Sequence, residues 1–394
     1  MLLTNDQYFG LSKLEKWYRK YQHQFIDISG TIGTGKWELV QMFIERTNLD
    51  PREVMYLSFN QKQVLELADL RYHIYYINRI IYKYNREVNF NSLPVVNPRS
   101  NGTLEYRWKK EVRKKIDPKY KLIVVFDSSL MDKDTINDLS KLGLPVILLR
   151  DPMLLPSPNT YTFLRDPNIS LHDIYPEHLK NPIVYFANMI YQGKNARVGN
   201  YDKVNVVRRK QMNLYNLKLS DMNICMSNSL RNNINAIYRE KILKQDNMVN
   251  IVNERIVVMN DLYKHKITNK DEKRIKLYLT KGLVGNITKV NKHALNRKYV
   301  PIEFTPEFYF EQFSDLMLDR HYLNNINPNT RQLIPDEILY AQYAYALTPQ
   351  LARLNHWDNV TIIADMNELE NTTLQAHLLY TAITRAKKSM TLVI

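Results

Sequence analysis

The chain has 394 residues, too many for one ordinary core and enough for two α/β domains with a smaller module. Its 55 Lys and Arg against 40 Asp and Glu give a formal net charge of +15, which points to a polyanion, nucleic acid first, over a solvated basic surface with no specific partner. The single cysteine, Cys225, excludes an internal disulfide framework and a cysteine-rich zinc site. No apolar stretch approaches the roughly 20 residues of a membrane span, and residues 1–6 lack the regions of a signal peptide, so no membrane partner and a cytoplasmic place are expected. Ten Gly among many Asn, Tyr, Ile and Lys suit an AT-rich genome, a phage included; the cytoplasm would then be the host's.

In chain order, residues 24–29 read as a short apolar strand, 30–36 as a glycine-bearing turn and 37–45 as an amphipathic helix. Residues 54–58, 121–126 and 144–149 are further apolar runs, the last two nearly continuous in Val, Ile and Leu as in parallel strands buried on both faces. Between them, 85–113 is polar, carries Pro94, Pro98 and Gly102, and reads as a small excursion. After 156–159 the pattern restarts, with helices at 182–191 and 230–244 and strands at 222–227, 360–365 and 390–394, a second α/β unit. Residues 250–306 hold short β-like pieces, 254–259 and 277–279, near Lys264, Lys266, Lys270, Lys273 and Arg274, an inserted β-rich module.

Gly30-Thr31-Ile32-Gly33-Thr34-Gly35-Lys36 matches the G-x-x-x-x-G-K core of a phosphate-binding loop. Its glycines let backbone N–H groups face a phosphate, Lys36 reaches terminal phosphates, and the following helix N-terminus adds positive potential. A strand before and a helix after favour this over an accidental glycine turn. The next residue ordinarily supplies a hydroxyl to Mg²⁺, and here it is Trp37, which has no oxygen to offer.

Around this loop runs an ordered series of segments: 3–7, ending in Gln7; 58–61, with Asn60; 76–79, with Asn78 and Arg79; 122–130, with Asp127; 149–156, with Asp151; 171–183; 344–348, ending in Thr348; 357–360, opening on Trp357; and 380–388, with Arg385. In this order they resemble the motifs of superfamily 1 DNA helicases, closest to the RecD/Dda-like branch, with UvrD-like C-terminal motifs. The resemblance implies two RecA-like P-loop NTPase domains, parallel sheets flanked by helices, with a small inserted β-rich SH3-like module. Domain 1A would span 1–165 with its insertion near 85–113, domain 2A would combine 166–248 and 335–394, and 249–334 would form the 2B-like module, its turn at 281–287. ATP would be cradled by Gly30, Gly33, Thr34, Gly35, Lys36 and Trp37, with Gln7 reading adenine and Asp151 near the γ-phosphate. Lys36, Asp127 and Arg385 would form the catalytic group, Asp127 holding Mg²⁺ through water. Asn60, Asn78, Arg79, Thr348 and Trp357 would lie along single-stranded DNA. The plainer readings are helix caps for Asn60 and Asn78 and a polar N-terminal cap for Gln7.

Several positions depart from that pattern. The general base after Asp127 is Ser128, which accepts no proton near neutral pH. Arg150 and Leu154 replace a Gly and the γ-phosphate-sensing Gln, Asn78 replaces a His, and Pro176 stands where an arginine is usual. Leu351, Arg353, Leu354 and His356 stand where Lys, Gln, Gly and Glu are common. ATP binding is therefore expected over turnover, because binding rests on loop amides, Lys36 and Arg385. Two functions follow: an ATP-dependent 5′→3′ helicase or translocase with impaired hydrolysis, or a catalytically inactive DNA-binding or scaffold protein acting with a replication or repair enzyme. A different P-loop protein, such as a nucleotide kinase, is disfavoured by the 380–388 segment.

Overall fold

The computed structural model describes residues 3–20, 23–70, 72–88, 106–113, 115–155, 167–245, 251–270, 273–291, 297–308, 311–324, 338–364 and 372–394. They divide into two compact units, one of Met1–Ile81, Arg113–Ser227 and Thr348–Ile394, the other of Tyr82–Val112 and Asn228–Leu347. The first unit contains both α/β lobes.

The first lobe is a six-stranded sheet in the order Ile74–Tyr76, Val54–Ser58, Leu122–Val125, Val146–Arg150, Phe25–Gly30, Ile169–Leu171, parallel throughout. The apolar runs read from the sequence are its central strands: Leu122, Ile123, Val124, Val125, Val146, Ile147 and Leu148 are all fully buried, as a sheet covered on both faces requires. Helix Lys36–Arg46 packs Leu39, Val40 and Phe43 into this core, and helix Asn5–Lys20 adds Leu11 and Leu14. That second helix goes beyond the polar cap read at 3–7. One strand lies between the strand entering the phosphate loop and the strand ending at Asp127, the RecA-like order. Loop and acids therefore leave the same, carboxyl edge of the sheet, where open α/β sheets bind ligands.

The Phe25–Gly30 strand is not wholly apolar. Asp27 sits in it, 4% exposed, and its Oδ2 lies 3.0 Å from Nη2 of Arg150 at the end of the neighbouring strand. Arg150 Nε and both carboxylate oxygens of Asp27 have no hydrogen-bond partner, so the two side chains meet as an ion pair only. Arg150 is thus one half of a buried ion pair, and Asp27 is its other half. Burial pushes the Asp27 carboxyl up to about 6, with Arg150 pulling the other way.

The second lobe runs Met222–Cys225, Trp357–Ile363, Ala386–Val393 and Val204–Val207, parallel, with Gly199–Tyr201 antiparallel at its edge. Cys225 is buried in it, as expected of a core thiol. Helix Pro182–Tyr191 has the expected bounds: the Asn181 side chain accepts from the Ile183 N–H, and Pro182 begins the helix where a missing N–H costs nothing. The strand expected at 390–394 starts at Ala386, because exposed Lys387 and Lys388 hid its beginning. Helix Thr372–Ile383 precedes it.

The second unit is built on a six-stranded sheet in the order Ile338–Leu339, Phe313–Asp319, Tyr299–Pro306, Val284–Val290, Arg255–Val258, Ala341–Tyr343, antiparallel except at Ile338–Leu339. Two hairpins belong to it, Leu262–Lys270 with Lys273–Leu279 and Tyr82–Val88 with Tyr106–Val112. The five basic residues noted between 264 and 274 fall on the first. Pro94, Pro98 and Gly102 lie outside the described residues. The helix expected at 230–244 covers Asn228–Ile237 and loosens into a wider turn at Tyr238–Ile242. Beside it Arg239 Nε donates to Glu254 Oε1 at 2.8 Å and the Tyr345 hydroxyl donates to Oε2 at 2.8 Å, so the buried Glu254 is held by two donors. No helix among the described residues is long and apolar enough to cross a membrane.

Candidate nucleotide site

The phosphate loop has the backbone its sequence demands. Gly33 (φ 82°) and Gly35 (φ 72°) sit in the left-handed region, and a Cβ on Gly35 would stand 2.2 Å from Gln7 Nε2. Gln7 is fully buried; its Nε2 donates to the Gly35 carbonyl at 2.9 Å while its Oε1 accepts from the Thr4 N–H at 3.0 Å. The amide assigned to adenine therefore braces the loop in this conformation. Lys36 Nζ turns back onto the carbonyls of Gly30 (2.6 Å) and Thr31 (2.8 Å). Burial lowers its pKa, and Asp151, Asp127 and Glu38 oppose that shift.

Residues of the second lobe close over the loop. The Ile32 N–H, one of the amides that would face a phosphate, donates to the Tyr380 hydroxyl at 2.7 Å, and that hydroxyl donates to Asp151 Oδ2 at 2.6 Å. Thr31 Oγ1 donates to Asn188 Oδ1 at 2.8 Å, and the Asn188 amide returns a bond to the Ile32 carbonyl. Farther out the Leu155 N–H donates to Thr381 Oγ1 (3.0 Å), and the His377 ring donates to the Met153 carbonyl (3.0 Å).

Beneath this closure lies a cavity of about 370 Å³, within the range of small-molecule sites. Lys36, Asp127, Asp151 and Arg385 line it, together with Trp37, Phe126, Leu154 and His356. Three of the residues assigned to catalysis thus share one cavity. Asp127 adopts a left-handed backbone (φ 51°) where its strand ends. Burial raises the pKa of both carboxyls; Arg385 and then Lys36 oppose this at Asp127, and Lys36 and the Tyr380 bond oppose it at Asp151. The Arg385 guanidinium is already bonded to the carbonyls of Thr381 and Arg353 and to Thr384 Oγ1. Burial, and then Arg385, Lys387 and Lys62, push the His356 ring well below its ordinary range.

The residues present do not fit the divalent cation that the motif series implies. Trp37 packs edge-on against Tyr56 (5.5 Å between ring centroids) and Tyr72 (5.4 Å) and obliquely on Phe126 (5.2 Å), so an aromatic cluster fills the place of a metal-binding hydroxyl. Among the described residues no group of three or more His, Cys, Asp or Glu could hold a metal. The base position is equally committed: Ser128 is fully buried and its hydroxyl donates to the Leu149 carbonyl at 3.0 Å. Ser128→Glu is therefore expected to lower stability by about 2–4 kcal/mol, by burying a carboxylate and breaking that tie, without producing ATP turnover. Urea unfolding with an ATPase assay checks this; turnover at undiminished stability would contradict it.

The residues assigned to DNA each have a local structural role. Asn60 caps helix Gln61–Asp69, accepting from the Lys62 and Gln63 N–H groups. Asn78 Nδ2 donates to the Tyr76 hydroxyl (3.3 Å), and Arg79 lies next to it, both partly exposed. Thr348 begins helix Pro349–Ala352, and Trp357, 7% exposed, starts a core strand with its N–H on the Arg385 carbonyl. Pro176 is an exposed turn residue. Sequence reasoning passed over Tyr380, Asn188 and Asp27. Tyr380 opens the 380–388 segment, and Asp27 is a lone acid in an apolar run, but nothing in the sequence singled out Asn188.

No family model and no curated protein matches this sequence. Among solved structures the chain is similar to Pif1 helicases. One, solved to explain unwinding at forked double-stranded DNA by two coordinating Pif1 helicases, is 12% identical with TM-score 0.49, over 100% of this chain and 92% of that one. Pif1 of Candida albicans is 11% identical (TM-score 0.41; 100% and 95%). Pif1 from Bacteroides, in complex with ADP-AlF3 and single-stranded DNA, is 14% identical (TM-score 0.44; 100% and 92%). At these values the similarity carries no functional argument; the fold rests on the two sheets and the loop between them.

Proposed function

We propose that this chain is a helicase-fold protein that binds ATP at the Lys36 loop and grips single-stranded DNA, and that it does not turn ATP over at a motor's rate. The observation that carries this reading is the double commitment of the hydrolytic positions, Trp37 to an aromatic cluster and Ser128 to the Leu149 carbonyl, while Lys36 and Arg385 still line one cavity. Nucleotide would then act as a structural ligand that separates Tyr380 from Ile32 and alters how the lobes close. The +15 charge supports the DNA half. Within this reading the chain belongs with the RecD/Dda-like branch and serves a replication or repair enzyme as its DNA-binding partner.

Steady-state ATPase rates with and without single-stranded DNA, run beside Lys36→Ala, test the first half. The expected result is no Lys36-dependent turnover; DNA-stimulated turnover lost in Lys36→Ala would identify a working motor, for which the family resemblance implies 5′→3′ movement. Fluorescence anisotropy of a labelled oligonucleotide tests the second half, with affinity expected to fall steeply as salt rises. Absence of binding at low salt would remove the DNA assignment.

A further inference from the structure

We infer that the nucleotide site works without a divalent cation, taking its phosphates as a metal-free anion held by Lys36, Arg385 and the loop amides. This rests on the nucleotide reading above and specifies the form in which the ligand is bound. Two separate features of the cavity lead to it. The first is position 37. The indole there touches three other rings, and Tyr56 and Tyr72 also meet at 5.3 Å, so withdrawing it to admit a hydrated ion would open an aromatic cluster. Mg²⁺ demands near-ideal octahedral oxygen ligands and keeps several waters, and an indole supplies neither oxygen nor room for water.

The second feature is charge. In a metal site the carboxylate at the end of the 122–125 strand is neutralised by the ion. Here Arg385 and Lys36 border the same cavity as Asp127. Asp151 already accepts from the Tyr380 hydroxyl and the Met153 N–H, one bond on each carboxylate oxygen. The guanidinium, fixed by its contacts to Thr381, Arg353 and Thr384, keeps a second N–H on each terminal nitrogen to offer a phosphate. The protein's own cations thus face the Asp127 carboxylate across one cavity.

Calorimetric titration of the full chain with ATP, in EDTA and in excess MgCl2, decides the matter, with Lys36→Ala as the control for site. The expected result is the same Kd in both buffers to within about twofold, and loss of binding in both for Lys36→Ala. Binding at least about tenfold tighter in MgCl2 would overturn the inference and leave the nucleotide reading standing. Binding that survives Lys36→Ala would place the ligand elsewhere and overturn it too. No binding in either buffer would sink the nucleotide reading and the inference with it.

Discussion

Arg150→Met is expected to cost about 3–5 kcal/mol of stability at pH 7, and Asp27→Leu a similar amount, whereas the double variant should return to within about 1 kcal/mol of the parent or exceed it. Each single change strands a charge between the phosphate-loop strand and its neighbour, where the partners' side chains are only 6% and 11% exposed. The double change replaces both by apolar volume in a sheet that is otherwise aliphatic at that level. The pair also gives a pH signature. With its carboxyl pushed up to about 6 in the folded state from 3.8, folded Asp27 binds a proton that the unfolded chain releases. Its contribution is therefore full below about 4, declines as pH rises through about 6, and is level above; the size is about 3 kcal/mol. Urea unfolding across pH 4–8 should show this fall in the parent and not in the double variant. Additive losses in the double variant would show that the two residues do not act as a pair.

Tyr380→Phe is expected to tighten ATP binding about tenfold. In the parent a nucleotide must displace the Tyr380 hydroxyl from the Ile32 amide at 2.7 Å before that amide can face a phosphate. Removing the hydroxyl frees the amide at no cost in apolar packing, and a buried hydrogen bond of about 1–1.5 kcal/mol corresponds to that factor. The same change leaves Asp151 Oδ2 without its 2.6 Å donor, so the nucleotide-free protein should lose about 1–3 kcal/mol of stability. Calorimetry and thermal unfolding read the two effects together. Weaker ATP binding by the variant would mean that the hydroxyl contacts the ligand instead of competing with it.

The core of the fold was legible because strands buried on both faces are written as continuous Val, Ile and Leu, and helix Pro182–Tyr191 because its cap and first-turn proline are local signals. Helix Asn5–Lys20 was not read, since its buried Gln7 and Gly10 break the apolar pattern and answer to tertiary partners. In the site, the gathering of Lys36, Asp127 and Arg385 followed from motif order, each standing at the end of a strand or helix that the fold brings to one edge. Asn60 shows the opposite case: a polar residue before a helix satisfies the cap first, and the residue type alone does not distinguish capping from DNA contact.

The sequence by itself determined the phosphate loop, the parallel sheet strands around it and the presence of Trp37 and Ser128, neither of which carries a carboxylate, because these are properties of residue type and local spacing. Only the tertiary structure decided what those residues do instead. Trp37 joins rings from positions 56, 72 and 126, Ser128 ties two strands, Arg150 pairs with Asp27, and Tyr380 reaches Ile32 across 348 residues. Partners so distant along the chain meet only once both sheets are packed, and burial is what gives a hydroxyl or a charge its cost and its role.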